Sequence, residues 1–327
     1  MVKFSVVVTA YNRKEFLNDA LQSLDKQTIK KGIFEVILLT NFEYDVSNFN
    51  SMNIRHFIQD GTVGEYMQKA ILESKGEIIC FLDDDDIYFE GKLLALSKNF
   101  TEDIIYYKHP VQAFRIKEDI TIGPDRSTGS IRHIEKVDFM HPNIYAYNRT
   151  SIAIRRSLIL PFIDELRKLD VSEDWFFFLV FISSSGTGLY DENKLSYYRK
   201  HQSVSSKAIS KSDKNYNSYM NYLNRLINSF NYMKTIFSNP VSQKILDFQL
   251  SVFRIRLILL KEDNGASPAK EDIRNLYKAS IVNYNEFWII KFLFLRSFIR
   301  YYFPGLSAKT EQIYKMASKK INFSLHP

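Results

Sequence analysis

The chain has 327 residues, 45% apolar and 25% charged, enough for one large domain or two smaller ones and ordinary for a soluble globular protein. Its one cysteine, Cys80, excludes an intrachain disulfide and a cysteine metal cluster, so a reducing, cytoplasmic setting is expected. The net charge of +7 is uneven: residues 205–327 carry 19 Lys and Arg against 8 Asp and Glu, while residues 1–204 carry 25 against 29. Two regions with different partners are therefore expected.

In chain order, Lys3 to Thr9 is a near-continuous β-branched run that reads as a buried parallel strand. Met1 to Ala10 is too short an apolar run for a signal peptide, and Tyr11-Asn12-Arg13-Lys14 follows at once. Lys14 to Lys26 places Phe16, Leu17, Ala20, Leu21 and Leu24 at helical spacing. Phe34 to Thr40 and Ile54 to Ile58 read as further strands, and Gly61 to Lys75 as a helix. Strands alternating with helices predict βαβ units and a parallel sheet. Two more strands are expected at Ile104 to Lys108 and Val111 to Ile116, then a polar loop, Gly123 to Ser130. Ile144 to Ile154 reads as a strand and Pro161 to Leu169 as a short helix. Ser172 is placed as the N-cap of an apolar helix, with Glu173 and Asp174 at its positive end.

The stretch from Gly76 to Ile87 carries the most chemistry. Five apolar residues, Ile78 to Leu82, run into four consecutive carboxylates, Asp83 to Asp86. The apolar run predicts a buried strand, and the acids then lie at its carboxyl end, where open α/β sheets bind ligands. Four adjacent acids repel one another unless positive charge lies among them, so the choice is a divalent cation held by oxygen ligands or a solvated acidic turn. Cys80, inside the strand, reads as a small core residue.

Five segments in this order resemble the GT-A glycosyltransferases, specifically their large inverting family two. FSVVVTAYNR is similar to that family's first strand and turn, FEVILLTN to its second strand, and KGEIICFLDDDD to its strand and DXD motif. SEDWFF is similar to its Glu-Asp helix start, and YYRKHQSVS to a closing tyrosine–arginine–histidine–serine segment. The resemblance covers roughly residues 1–205. It implies a Rossmann-like α/β fold, a mostly parallel sheet flanked by helices, with a donor half at about 1–100 and an acceptor half at about 101–205. It implies transfer of a sugar from a UDP- or GDP-sugar to an acceptor hydroxyl, with Mn2+ or Mg2+ as cofactor. Asp85 would be a direct metal ligand and Asp83 would contact the ribose or the metal's water. Asp84 would lie with the donor, and Asp86 would face the sugar or acceptor. His201 would be a third metal or diphosphate contact, if it is not structural. Asp174 would be the general base, with Glu173 orienting it or the acceptor and Trp175 packing on a sugar face or in the core. Thr9, Ala10 and Tyr11 would hold base and ribose, and Arg13 would favour the diphosphate or lie solvated at the surface.

Three departures bear on the donor. Thr40-Asn41 stands where the family has two aspartates after the second strand, so Asn41 is the residue left to read a base edge. Tyr66-Met67-Gln68 replaces a basic contact, and Ala10 stands where a proline is usual.

Beyond residue 205 helical periodicity takes over, at Tyr216 to Ile236, Val241 to Leu260, Lys270 to Tyr277 and Asn285 to Tyr302, so an all-helical, basic region is expected over 206–327. Phe287 to Phe303 mixes aromatics with Lys291, Arg296 and Arg300. It reads equally as an interfacial helix, giving residues 285–327 a peripheral contact with the inner membrane face, and as a core helix with its cations turned outward. A lipid-linked or other saccharide acceptor suits the first choice. No nucleic-acid motif is present. The rival readings are a phosphoryl-transfer enzyme with acids at a strand end and a non-catalytic nucleotide-sugar-binding or membrane scaffold.

Overall fold

The structure is a computed structural model and describes residues 2–115, 129–135, 142–200, 215–261 and 268–282, with seven helical positions between 294 and 302. The chain divides into two compact units, one of residues 1–138 and 142–201 and one of residues 139–141 and 202–327.

The first unit opens with β1 (Phe4–Ala10), every residue buried, as a β-branched run covered on both faces must be. Helix α1 (Leu17–Asp25) turns Leu17, Ala20, Leu21 and Leu24 inward. Strands β2 (Phe34–Thr40) and β3 (Ile54–Ile58) follow. Helix α2 (Val63–Glu73) starts later than the expected Gly61, because Thr62 and Glu65 form a capping box. Strand β4 (Ile78–Asp83) carries the apolar run to the first aspartate. Gly76 precedes it with its amide on Ser5 Oγ at 2.8 Å. A Cβ there would lie 2.5 Å from the Ser5 amide nitrogen, so only glycine lets the chain pass β1 this closely.

The order continues with β5 (Ile87–Tyr88), α3 (Lys92–Asn99), β6 (Ile104–Lys108), β7 (Gln112–Phe114), β8 (Ile131–His133), α4 (Pro142–Ala146) and β9 (Ile152–Arg155). Then come α5 (Arg156–Ile159), α6 (Ile163–Arg167), α7 (Glu173–Ile182), β10 (Thr187–Asp191) and β11 (Ser196–Arg199). The main sheet runs β3-β2-β1-β4-β9-β6-β10-β8, and a small second sheet runs β5-β11-β7. The first four strands are parallel, as the alternating pattern predicts. Strand β9 then enters antiparallel between β4 and β6.

Three local expectations are corrected. Residues 144–154 are not one strand: α4 ends at Ala146, Asn148 takes a left-handed conformation (φ 69°), and a 3-10 turn precedes β9. A left-handed residue interrupts an extended run wherever it falls. The short helix expected from Pro161 begins instead as a 3-10 turn, Leu160–Phe162, with Pro161 inside it, before α6. Ser172 does precede α7, but at φ 68° its hydroxyl caps nothing. Helix α7 is apolar on all sides and buried from Trp175 to Phe181; its Phe177 stacks on Phe81 of β4 at 4.5 Å and Phe181 on Tyr106 of β6 at 4.7 Å.

The second unit contains α8 (Tyr216–Ile236), α9 (Pro240–Leu260) and α10 (Lys270–Val282). Asn239 caps α9 through the Ser242 amide at 2.8 Å, and Phe230 meets Phe253 edge-on. Buried Asp272 accepts from Ser251 Oγ at 2.9 Å. Phe294, Phe298 and Tyr302 make tilted ring contacts one helical turn apart, and Phe294 meets Tyr277 of α10 at 5.5 Å. Residues 287–293, 296, 300 and 303 of the segment weighed as an interfacial or core helix lie outside the described residues. Among the described residues no helix is long and apolar enough to cross a membrane.

Candidate active site

Parallel pairing sets the carboxyl ends of β1, β2 and β4 side by side, with Thr9 level with Asp83 and Ala10 level with Thr40. Both turns that leave this edge are specialised. Asn12 sits at φ 55°, and Asn41 braces it from both sides, accepting the Asn12 amide at 2.9 Å and donating to the Asn12 side chain at 2.7 Å. Asn is among the few residues that take this conformation readily. Asn41, expected as a base reader, thus holds the shape of the neighbouring turn. Tyr11 is half exposed, its ring edge-on to Tyr66 at 6.2 Å, and its hydroxyl bonds to Asp60, which raises its pKa. Tyr66 in turn donates to the Gln59 carbonyl at 2.8 Å. Tyr11 is therefore the exposed ring at this edge, with buried Tyr66 packed behind it.

The acidic turn follows β4 directly and is closed by the Asp86 amide on the Asp83 carbonyl at 3.1 Å. Arg13 is not a solvated surface side chain: it grips both oxygens of Asp84 at 2.6 and 2.7 Å and reaches Asp85 at 2.7 Å. Burial raises the Asp84 carboxyl, an effect that Arg13 opposes. Asp86, expected to face sugar or acceptor, is fully buried beneath the turn, where its Oδ1 accepts the Arg199 amide at 3.1 Å. Burial, then Asp83 and Asp85, push its pKa well above the ordinary carboxylate range. Arg199 steadies the turn from below, with Nε on the Asp85 carbonyl at 3.0 Å and Nη2 on Asp19 at 3.0 Å. His201, two residues on, lies outside the described residues.

Across the edge, α7 presents Glu173 and Asp174. Asp174 accepts the Trp175 amide at 2.8 Å and the Asn148 amide at 3.0 Å. Burial first, then Glu173, push its pKa up to about 7, against those amides and Lys108. Trp175 is only 6% exposed and meets Phe178 edge-on, so it belongs to the core and not to the site surface.

Two cations that the sequence reading missed organise this half. Arg149 donates through Nε to Asp83 at 2.5 Å, through Nη1 to Glu173 at 2.5 Å and through Nη2 to Thr9 at 2.7 Å. One guanidinium thus joins β1, the acidic turn and α7, and it has the fork geometry this requires. Lys108, buried at the end of β6, donates to the carbonyls of Tyr147 and Asn148 and to Ser151 Oγ. It fixes the backbone whose amide reaches Asp174. Neither residue stands in a local pattern; the only trace in sequence is the excess of acids, which requires buried cations somewhere.

Asp83, Asp85 and Asp86 each offer a carboxylate oxygen, and the three lie within 4.8 Å of one another. Asp86 Oδ2 is buried with no hydrogen-bond partner of normal geometry among the described residues. An all-oxygen set with one unsatisfied buried carboxylate fits a hard divalent cation such as Mg2+ or Mn2+.

Residues 5–160 match the family model described as Glycosyl transferase family 2. Over that stretch, just under half of the chain, the protein is similar to family-two glycosyltransferase domains. Over 95 residues, 26% of this chain, it is 32% identical to the poly(ribitol-phosphate) beta-N-acetylglucosaminyltransferase TarS of Staphylococcus aureus, covering 17% of that protein. Over 112 residues, 31% of this chain, it is 30% identical to the poly(ribitol-phosphate) beta-glucosyltransferase of Bacillus spizizenii, covering 18% of it. These matches span less than a fifth of either relative. By structure, the chain is similar to S. aureus TarS 1-349 in complex with UDP-GlcNAc, with a TM-score of 0.59 at 15% identity over 98% of this chain and 92% of that one. It is also similar to the mannosyltransferase PcManGT of Pyrobaculum calidifontis in complex with GDP-Man and Mn2+, with a TM-score of 0.52 at 12% identity over 98% and 87%. At these identities the likeness establishes the GT-A fold, as the motif order predicts.

Proposed function

We propose that this protein is an inverting glycosyltransferase that moves a sugar from a nucleoside-diphosphate donor to an acceptor hydroxyl. The observation that carries the reading is the placement of Asp174: a carboxylate held by two amides at a helix start, with a pKa near neutrality, joined through Glu173 and Arg149 to the acidic turn. A base of that strength is half ionised near neutral pH and takes the acceptor's proton as the hydroxyl attacks. Glu173 is tied to Arg149, which leaves Asp174 as the acid of the pair suited to proton transfer. A single base on the acceptor side matches one in-line displacement, hence inversion.

Asp83, Asp85 and Asp86 would hold a divalent cation, which when bound supplies positive charge to the leaving diphosphate. Tyr11 offers the nucleobase an exposed aromatic ring, and Arg13 offers the diphosphate a fork of donors. His201 is retained as a further ligand in this proposal. The likeness to chains bound to UDP-GlcNAc and GDP-Man supports a UDP- or GDP-sugar donor. The relatives' names make a poly(ribitol phosphate) the first acceptor to try, ahead of lipid-linked saccharides. A cytoplasmic site of action, with residues 285–327 on the inner membrane face, completes the proposal.

The test is a thermal-shift screen of UDP- and GDP-sugars with Mn2+ or Mg2+, followed by transfer assays with the stabilising donor. One donor that raises the melting temperature only with metal supports the reading. If none does, and poly(ribitol phosphate) gains no sugar, the protein is a scaffold on this fold and not a transferase.

A further inference from the structure

Arg13 and Arg149 both pair with the acidic turn, but they are held differently. Arg149 has three protein partners, Thr9, Asp83 and Glu173, and its side chain is 12% exposed. Arg13 takes both oxygens of Asp84 and one of Asp85, and its side chain is 29% exposed, against 9% and 13% for the two acids. It is the accessible cation of the turn. It also holds a residue of the candidate metal set, since Asp85 is one of the three acids whose oxygens lie within 4.8 Å of one another. A carboxylate oxygen 2.7 Å from a guanidinium donates its electron density there and is a poorer ligand for a cation. The guanidinium and the cation therefore compete for Asp85.

We infer that Arg13 is an exchangeable counter-ion: it pairs with Asp84 and Asp85 in the free protein and transfers to the diphosphate when the nucleotide binds, releasing Asp85 to the cation. A diphosphate oxygen pair matches the planar fork of Arg13 as well as a carboxylate does and carries more charge. A ligand that draws Arg13 away removes the competitor, so nucleotide and cation each strengthen the other's binding by the same factor. Arg13 is thus a positioning residue whose two roles have opposite sign: it opposes the cation and favours the nucleotide. The inference rests on the nucleotide reading of this site.

The experiment is calorimetric titration of the full chain with Mn2+, UDP and GDP, singly and together, on wild type, Arg13→Gln and Arg13→Lys. Wild type is expected to bind Mn2+ weakly alone and about tenfold more tightly with nucleotide present. Arg13→Gln should bind Mn2+ alone several-fold more tightly than wild type, yet bind nucleotide with Mn2+ about tenfold less tightly. Arg13→Lys, which keeps the charge without the fork, should fall between them and guards against misfolding of the glutamine variant. Opposite changes in the two affinities support the exchange. An Arg13→Gln affinity for Mn2+ alone that is unchanged or lower overturns it. Failure of UDP and GDP to bind wild type under any condition sinks the nucleotide reading instead, and the Mn2+ titration alone then still decides whether Arg13 competes for Asp85.

Discussion

The Arg149 guanidinium donates to the Glu173 carboxylate at 2.5 Å, across 24 residues of chain, and the same guanidinium holds Asp83 and Thr9. This contact ties the acidic turn to the helix that carries Asp174. Removing it leaves two carboxylates in a partly buried space with nothing between them. Deleting one partner of such a group typically costs about 3–5 kcal/mol, because the remaining charges stay desolvated. Arg149→Met should therefore lower the melting temperature sharply at neutral pH. Adding Glu173→Gln to Arg149→Met should restore part of the stability, a coupling that a double-mutant cycle measures. Strictly additive losses in that cycle would show that Arg149 acts by packing alone.

Asp174 gives a prediction in two independent readouts. As a base it works only when ionised, and its pKa lies near 7, so transfer should fall as pH drops below about 7. A solvated aspartate would hold activity down to about pH 4. Asp174→Asn should cost about 10²–10⁴-fold in turnover and leave nucleotide binding intact. The stability sign is the reverse of a salt-bridged acid. Between the ordinary value and about 7 the folded protein binds more protons than the unfolded chain, so this group makes stability fall as pH rises through that window. Asn keeps only one of the two acceptors that the Trp175 and Asn148 amides use, so the expected signature is the trend: the melting temperature of Asp174→Asn relative to wild type should rise from about pH 4 to about pH 8.

Strands β1, β2 and β4 were legible because each is an apolar run buried on both faces and bounded by turn residues, the case in which a few residues determine burial; β3, with Arg55 and His56 in it, is only partly buried. The acids were legible for a related reason: Asp83 to Asp86 are consecutive, and a strand end gives them one location. Their partners were not. Arg13 meets Asp84 across 71 residues and Arg149 meets Asp83 across 66, and no local spacing encodes either contact. Residues 144–154 misled because their apolar content suits a strand while the left-handed Asn148 divides them. That conformation is held by Lys108 from another element. Asn41 was read by analogy with the two aspartates it replaces, and its tie to Asn12 depends on a turn whose φ the sequence does not display.

Gly76 tests the packing that places the acidic turn. Its missing side chain lets the chain enter β4 against the backbone of Phe4 and Ser5, 2.6 and 2.5 Å from where a Cβ would stand. Backbone cannot yield as a flexible side chain can. Gly76→Ala should destabilise by about 1–3 kcal/mol, the cost of overpacking a filled site. Because the clash lies at the opposite end of β4 from Asp83, nucleotide affinity of the remaining folded protein should be unchanged. Urea denaturation measures the first effect and titration with UDP or GDP the second.

Lys108 is the last test, and it separates charge from packing. Burial pushes its amine down to about 7, and the nearby Asp174 opposes that shift. In return, its positive charge helps keep Asp174 ionised. Lys108→Met removes that charge together with the three donors under residues 147–151. The Asp174 carboxyl should then rise further, so the acid limb of the pH–rate profile moves to higher pH and the variant loses more activity at about pH 6 than at about pH 8. A residue that only packs would lower the rate by one factor at every pH. Stability supplies the second readout. From about pH 7 to the ordinary lysine value the unfolded chain carries a proton that the folded chain lacks, so Lys108 makes stability rise with pH in that window. The methionine variant should lack that rise, which melting temperatures taken from about pH 7 to about pH 10 would measure.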